Sequence, residues 1–544
     1  MKISKMIPMI VLATALVACG SNTENKTNNQ GTDTPVISAK DIVNIQLSDG
    51  DIEVTVGGEI VDSSGVTVGN DIVYYEEGKD FTYGEGSEKD AHSKEEAEAH
   101  KVVHISEPGV YSLSGSLSKG QIAVDLGDGA KKDEDAVVTL ILNGVDINCS
   151  VAPAVIFYNV YECGDTDTES ATYNVDTSHA GANVIIADDT ENNISGAYVA
   201  RIYESYTLNE AGTEVIDSKK LHKYDAAFYS RRSMNVFGEE KGTGILNINA
   251  TNEGLDSELH LTINGGTINI KSGNDGINTN EDGVSVTTIN GGNVNIEVEG
   301  STGEGDGIDS NGWLVINGGH VNSAAYGQSA DAGIDSDMGI YINGGSVMAT
   351  GNMLDRIENS ESTYAVFSFV SKVTEGTNLT FKDADGNQVA SWTPVNDCSI
   401  LIVAGEELKP GTYTLWEGDT QYGCVNGDMF GGPGGGAGQP FNGDGMKPFE
   451  ERERPEGMEP PEGEMPEGME RPEDREMPEG MERPEDSEMP EGMEPPEGEM
   501  PEGMEPPEDR EMPGGRENAN MQVATTTEFV IVEGANYFSF VKVQ

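Results

Sequence analysis

Between residues 250 and 350, apolar and polar positions recur in a fixed order. The run Ile-Asn-Gly-Gly stands at residues 263–266, 289–292, 316–319 and 342–345, at steps of 26, 27 and 26 residues. Ahead of each lies a second element: Gly254-Leu255-Asp256-Ser257, Gly276-Ile277-Asn278-Thr279, Gly307-Ile308-Asp309-Ser310 and Gly333-Ile334-Asp335-Ser336. After each glycine pair, apolar and polar residues alternate, as in Ile268, Asn269, Ile270 or Val294, Asn295, Ile296. A period of two broken by glycine turns predicts short strands and excludes the helical repeat families of similar length. Such strands bury no apolar face alone, so successive repeats are expected to stack into a solenoid, a parallel β-helix with one coil per repeat. A propeller blade needs roughly 40 residues, more than one repeat provides. Ile263, Ile289, Ile316 and Ile342 are then expected to form an inward column, and Asn264, Asn290, Asn317 and Asn343 a column of stacked amides.

The same alternation, less regular, fills residues 102–148 and 183–195, predicting earlier coils, whereas residues 80–100 and 161–179 are polar and read as loop insertions. Residues 361–429 alternate again, with a turn at Asp383-Ala384-Asp385-Gly386, and read as a small β cap over the open solenoid end. From residue 430 to about 520 the chain is first Gly/Pro-rich, then a Met/Pro/Glu repeat with proline about every six residues. Proline forbids a helix and acidity prevents collapse, so this segment is expected to be a disordered acidic insertion. Residues 521–544 turn apolar again and are expected to return to the cap as terminal strands.

Charge narrows the partners. The net charge of -64 argues against nucleic acid and against direct attraction to anionic membranes, and it invites divalent cations. At the N-terminus, Lys2 and Lys5 precede an apolar run, and Leu16-Val17-Ala18-Cys19 resembles the bacterial lipoprotein box. Residues 1–18 are thus expected to be a signal peptide, Cys19 the lipidated residue, and residues 19–40 a tether. The membrane would be met through that anchor only, with the protein exposed at the outer cell surface. Of the remaining cysteines, Cys149 with Cys163 and Cys398 with Cys424 read as two local disulfides, with free buried thiols as the alternative.

The candidate chemistry lies in the glycine-flanked elements. Two residues after the shared glycine stand Asp256, Asn278, Asp309 and Asp335; four after it stand Glu258, Asn280, Asn311 and Asp337. Before it come Glu253, Asp275 and Asp306, with Asp331 one place earlier in its coil. Carboxylates stacked at ~4.8 Å repel by about 3.5 kcal/mol at an effective dielectric of 20. Calcium, which takes six to eight oxygens at flexible distances, would relieve that repulsion. The candidate ligands are Asp256, Asp275, Asn278, Asp306, Asp309, Asp331, Asp335 and Asp337; the alternative is a solvated acidic face screened by salt. Trp313, Tyr341 and Tyr326 are candidates for stacking on sugar rings, or else fill gaps between coils.

The succession Gly109-Val110-Tyr111-Ser112-Leu113-Ser114-Gly115, Leu140-Ile141-Leu142-Asn143-Gly144, the aspartate-rich turns and the Ile-Asn-Gly-Gly elements resembles the β-helical carbohydrate-binding lipoproteins of clostridia and related bacteria, over about residues 42–424. The resemblance implies an all-β, right-handed parallel β-helix, with residues 41–360 as its carbohydrate-binding domain. It also implies bound calcium and attachment to plant cell-wall polysaccharide, including cellulose and pectic acid, on a fold similar to pectate lyases. Asn278 replaces an acid in the first column and weakens one coil's expected site. Two alternatives remain from the residues. One is a calcium-dependent lyase with Lys271 as base and Arg231 and Arg232 behind it; the other is a structural adhesin.

Overall fold

In each Ile-Asn-Gly-Gly turn the second glycine adopts a left-handed backbone, with φ of 85° at Gly266, 85° at Gly292, 78° at Gly319 and 73° at Gly345. A Cβ on Gly292 would lie 2.6 Å from the Gly266 carbonyl oxygen one repeat below. Conformation and close stacking therefore both demand glycine here. The computed structural model describes residues 42–61, 65–358, 360–405, 409–426 and 526–542. The expected signal peptide, Cys19, the tether and the acidic insertion lie outside the described residues.

Three parallel ladders follow from the turns. In the first, His260–Ile263, Val286–Ile289, Trp313–Ile316 and Gly339–Ile342 pair in register, so the four isoleucines stand one above the next. All four are fully buried, each stabilising the stack by roughly 1.5–3 kcal/mol. The second ladder runs through Ile245–Ala250, Thr267–Ser272, Asn293–Val298, His320–Ala324 and Ser346–Gly351. The third runs through Val155–Asn159, Ala226–Ser230, Glu253–Ser257, Ile277–Thr279 and Ile308–Ser310. At the turn, Asn290, Asn317 and Asn343 each donate to the preceding asparagine's side-chain oxygen, at 2.9, 3.0 and 3.0 Å. A second amide column, absent from the sequence expectation, joins Asn193, Asn247, Asn269 and Asn295 at 2.9 Å per step.

The described chain is nearly all β, with one five-residue helix, Lys94–Glu98, and one 3-10 turn. Its sheets are mixed, which differs from parallel coils throughout. Ile42–Leu47 pairs antiparallel with Glu53–Val56 at one end, and Ser346–Gly351 pairs antiparallel with Cys398–Ala404 at the other. The physical reason is the edge: a final parallel strand would leave a row of unpaired backbone groups. Tyr364–Val373 pairs with Cys398–Ala404 and, in parallel, with Ala535–Lys542. Phe367, Phe369, Phe529, Phe538 and Phe540 build a second core there.

The polar segment near residue 170 is a strap across the first ladder. Thr177 Oγ1 donates to Asn235 Oδ1 at 2.8 Å and lies 2.7 Å from Thr262 Oγ1. Further along the ladder, Tyr173 stacks on Tyr341.

Candidate functional site

The third ladder carries the acidic column. Leu255, Ile277 and Ile308 point inward and are fully buried, so strand alternation turns Tyr229, Asp256, Asn278 and Asp309, aligned in register, to the other face. Asp335 continues the column, its amide donating to the Ile308 carbonyl at 2.7 Å. This face is not open to solvent along its length: Asp256 is 0% exposed, Glu253 6% and Asn278 7%.

Each of these buried groups is half satisfied. Asn280 Nδ2 donates to Asp256 Oδ1 at 2.6 Å, and Asn278 Nδ2 to Glu253 Oε1 at 3.2 Å. Glu253 Oε2, Asp256 Oδ2 and Asn278 Oδ1 are buried without a hydrogen-bond partner. Each such orphan costs about 1–3 kcal/mol. Burial, then the charges of Asp256 and Asp225, pushes Glu253 well above the usual carboxylate range. Burial, then Glu258 and Asp225, does the same to Asp256.

Asp275, Asp306 and Asp331 form a second file with another task. Asp306 N donates to Asp275 Oδ1 at 2.7 Å, Ala332 N to Asp306 Oδ1 at 2.6 Å, and Gly305 N to Asp331 Oδ2 at 2.6 Å. These carboxylates brace one repeat against the next. Burial pushes Asp306 up to about 9 even so. Toward the open end, burial and Asp337 raise Asp309 to about 6, while burial, Asp355 and Asp309 raise Asp335 to about 7. Asp337 is exposed. Asp355, missed by sequence reasoning because it lies outside the repeat, joins this end and accepts from Ser336 N at 3.1 Å. Among the described residues no group of three or more His, Cys, Asp or Glu side chains is gathered closely enough to hold a metal ion as it stands. The orphaned set is mixed, two carboxylates and an amide.

Of the expected aromatics, the fold brings two together. Trp313 pairs with Gly339 and Val315 with Tyr341, so Trp313 and Tyr341 are diagonal neighbours on one face. Tyr173 stacks on Tyr341 at 4.3 Å and 22°, occupying part of that surface. Tyr326 is elsewhere, its ring lying over Gly300 and against the main core.

Lys271 is held by Glu297 at 2.9 Å and Glu299 at 3.8 Å. The hydrogen bond to Glu297 raises its pKa, the opposite of what a neutral base needs. Arg231 and Arg232 are not behind it: they follow Ala226–Ser230 in the third ladder and line a separate pocket. The expected disulfides are corrected too, because all four cysteines are free. The strands of Cys398 and Cys424 are separated by Tyr364–Val373 and Ala535–Lys542. Three strand spacings, about 14 Å, exceed the 4.4–6.8 Å a disulfide spans. Cys149 is buried in the main core, whereas Cys163 lies in the strap, beside Ser233.

Residues 99–406 match the carbohydrate-binding domain-containing protein family. A carbohydrate-binding domain-containing protein of Acetivibrio thermocellus is 29% identical over 175 residues, 32% of this chain and 46% of that protein. The match thus spans about half the length of that curated relative. Among solved structures, a polysaccharide lyase-like protein from C. thermocellum, in a gadolinium derivative, is 20% identical, with 59% of this chain and 91% of that chain covered and a TM-score of 0.31. The family match takes in more than half of the sequence, including every Ile-Asn-Gly-Gly turn and the acidic column, and so this chain belongs to the carbohydrate-binding domain-containing protein family.

Proposed function

We propose that this protein is a calcium-dependent carbohydrate-binding lipoprotein of the cell surface, held by lipid at Cys19, whose ligand is plant cell-wall polysaccharide, pectic acid and cellulose among them. In this reading the three ladders are the faces of a right-handed parallel β-helix. The observation that carries the calcium is the trio of unpartnered oxygens, Glu253 Oε2, Asp256 Oδ2 and Asn278 Oδ1, on two adjacent coils. A hard cation that accepts carboxylate, amide and backbone oxygens at flexible distances suits such a mixed set, whereas magnesium demands stricter geometry. Calcium would supply positive charge between the coils and open coordination positions for sugar oxygens. Buried Asp256 would serve the fold, while Asp309, Asp335 and exposed Asp337 would face the glycan. The ion-paired state of Lys271 favours binding over lyase chemistry.

The test is retention of the full chain, in detergent, on insoluble cellulose and on pectic acid, with calcium and with chelator. Pectic-acid retention is expected to fall about a hundredfold in chelator as multivalent contact is lost. Equal retention in both conditions would refute the calcium role, and no retention on any glycan would refute the carbohydrate role.

A further inference from the structure

In a chain with 32 Lys and Arg against 96 Asp and Glu, six cations gather around one cavity of about 330 Å³: Lys131, Arg201, Lys220, Lys223, Arg231 and Arg232. Three of them are neutralised. Arg201 pairs with Asp225 at 3.0 Å, Lys223 with Glu258 at 3.6 Å, and Lys220 with Glu85. Three acids also line the wall: Glu162 accepts from the amide and hydroxyl of Ser233 at 2.9 and 2.7 Å, Glu258 accepts from the Tyr229 hydroxyl, and Glu281 is the third.

Lys131, Arg231 and Arg232 make no ion pair among the described residues. Arg232 Nη1 donates to the Arg231 carbonyl at 3.1 Å, and its Nε is buried without a partner. Burial, then the charge of Arg231, lowers the Arg232 pKa, and the nearby Glu162 and Glu258 offset this only in part. His222, 6% exposed, also lines the cavity, stacks on Tyr224 at 4.3 Å, and leaves both ring nitrogens unpartnered. Burial, then Arg201 and Arg231, holds its pKa down to about 4, so the ring is neutral at physiological pH and keeps one donor and one acceptor.

So acidic a chain leaves two adjacent guanidiniums here without a direct ion pair among the described residues, and their planar forks match a carboxylate. The volume lies at the lower end of the roughly 300–1,000 Å³ of small-molecule sites, room for a sugar. The cavity also adjoins the acidic column. Tyr229 on its wall is in register with Asp256, and Glu258 follows the Glu253–Ser257 strand.

We propose that this pocket binds the carboxylate of an acidic sugar, a uronate unit of the polysaccharide, with Arg231 and Arg232 gripping the carboxylate and neutral His222 hydrogen-bonding a sugar hydroxyl. The assignment rests on the carbohydrate-binding reading and adds to it a subsite that needs no metal. A polymer strand would place one carboxylate here and others on calcium beyond, opposite charges serving one acidic ligand.

Calorimetric titration of the calcium-loaded full chain with trigalacturonate, cellotriose and inorganic phosphate tests it. Trigalacturonate is expected to bind, with affinity falling about tenfold or more in R231A/R232A and by less in R231K/R232K, which keeps charge but loses the fork. Near-ultraviolet circular dichroism and the calcium-induced rise in melting temperature report that each variant is folded. Unchanged trigalacturonate affinity in folded R231A/R232A overturns the proposal. So does phosphate binding as tight as trigalacturonate and competitive with it, which would make the pocket a site for free anions. If the wild type is retained on neither pectic acid nor cellulose, the carbohydrate reading itself fails; retention on the polymers with an indifferent arginine variant sinks the pocket alone.

Discussion

The acidic column and the cationic pocket lie side by side on the third ladder, and they share a defect of opposite sign. In the column, Glu253, Asp256 and Asn278 leave buried oxygens unpartnered; in the pocket, Arg232 and His222 leave buried nitrogens unpartnered. Either region could have neutralised the other, since Tyr229 lines the pocket and stands in register with Asp256. They do so only in part: Lys223 of the pocket meets Glu258 at 3.6 Å, while the unpartnered oxygens and nitrogens remain buried at a cost in solvation. Under the proposed reading the column would take a cation and the pocket an anion, two kinds of contact for one polymer of acidic sugars.

The largest expected effect tests the column. A ligand that binds the native state alone stabilises it by about 4 kcal/mol at a thousand times its dissociation constant, and calcium is the proposed ligand. Melting of the full chain is therefore expected to rise steeply with calcium and little with equal magnesium. The shape-conserving pair Glu253→Gln and Asp256→Asn is expected to remove most of that rise. In chelator the same variant is expected to melt above the wild type, because its amides are neutral in both states whereas folding must suppress the ionisation of two buried acids. If it melts below the wild type in chelator, those carboxylates are already satisfied and the column is no cation site.

A smaller effect separates the regions by pH. Asp309, Asp335 and Asp306 are raised to about 6, 7 and 9, above the ordinary 3.8. The folded state therefore holds protons that the unfolded state releases, and the stability they confer is lost as pH rises through that window. In chelator the melting temperature is expected to climb by several degrees as pH falls from about 9 toward about 5. Calcium, by favouring the charged carboxylates, is expected to flatten the slope. His222 acts oppositely: lowered to about 4 from 6.5, it disfavours the folded state as pH falls through those values. Replacing His222 by Gln is thus expected to alter the profile only on its acid side. A chelator profile that declines steadily from pH 9 to 5 would contradict the assignment of the column.

What the sequence made legible follows the period. Ile263, Ile289, Ile316 and Ile342 stack because glycine turns at nearly equal steps let successive strands pair in register, and Asp256, Asn278 and Asp309 align for the same reason. What it hid is what the period does not encode. Arg201, His222 and Arg231 come from segments outside the repeat and meet only through folding. Asp275, Asp306 and Asp331 look like ligands in one dimension, yet each accepts a backbone N–H, which spacing cannot reveal. Cys398 and Cys424 are close in sequence but three strand spacings apart in the sheet, because Tyr364–Val373 and Ala535–Lys542 both lie between their strands.

The smallest effect asks whether column and pocket act on each other at all. The Tyr229 hydroxyl donates to Glu258, and Glu258 is, after burial, the main cause of the raised Asp256 pKa. Removing the hydroxyl concentrates negative charge on Glu258 beside Asp256, whereas neutralising Asp256 removes the group that suffers. Tyr229→Phe is therefore expected to cost more in the wild type than in Asp256→Asn, with a coupling of about 1 kcal/mol, inside the 0.5–3 kcal/mol range of contacting residues. Urea unfolding of the two single variants and the double variant in chelator measures it. Calcium, by compensating Asp256, is expected to shrink the coupling, which distinguishes an electrostatic link from a packing defect left by the missing oxygen. Additivity within about 0.3 kcal/mol in chelator would mean that the two regions are neighbours without being partners.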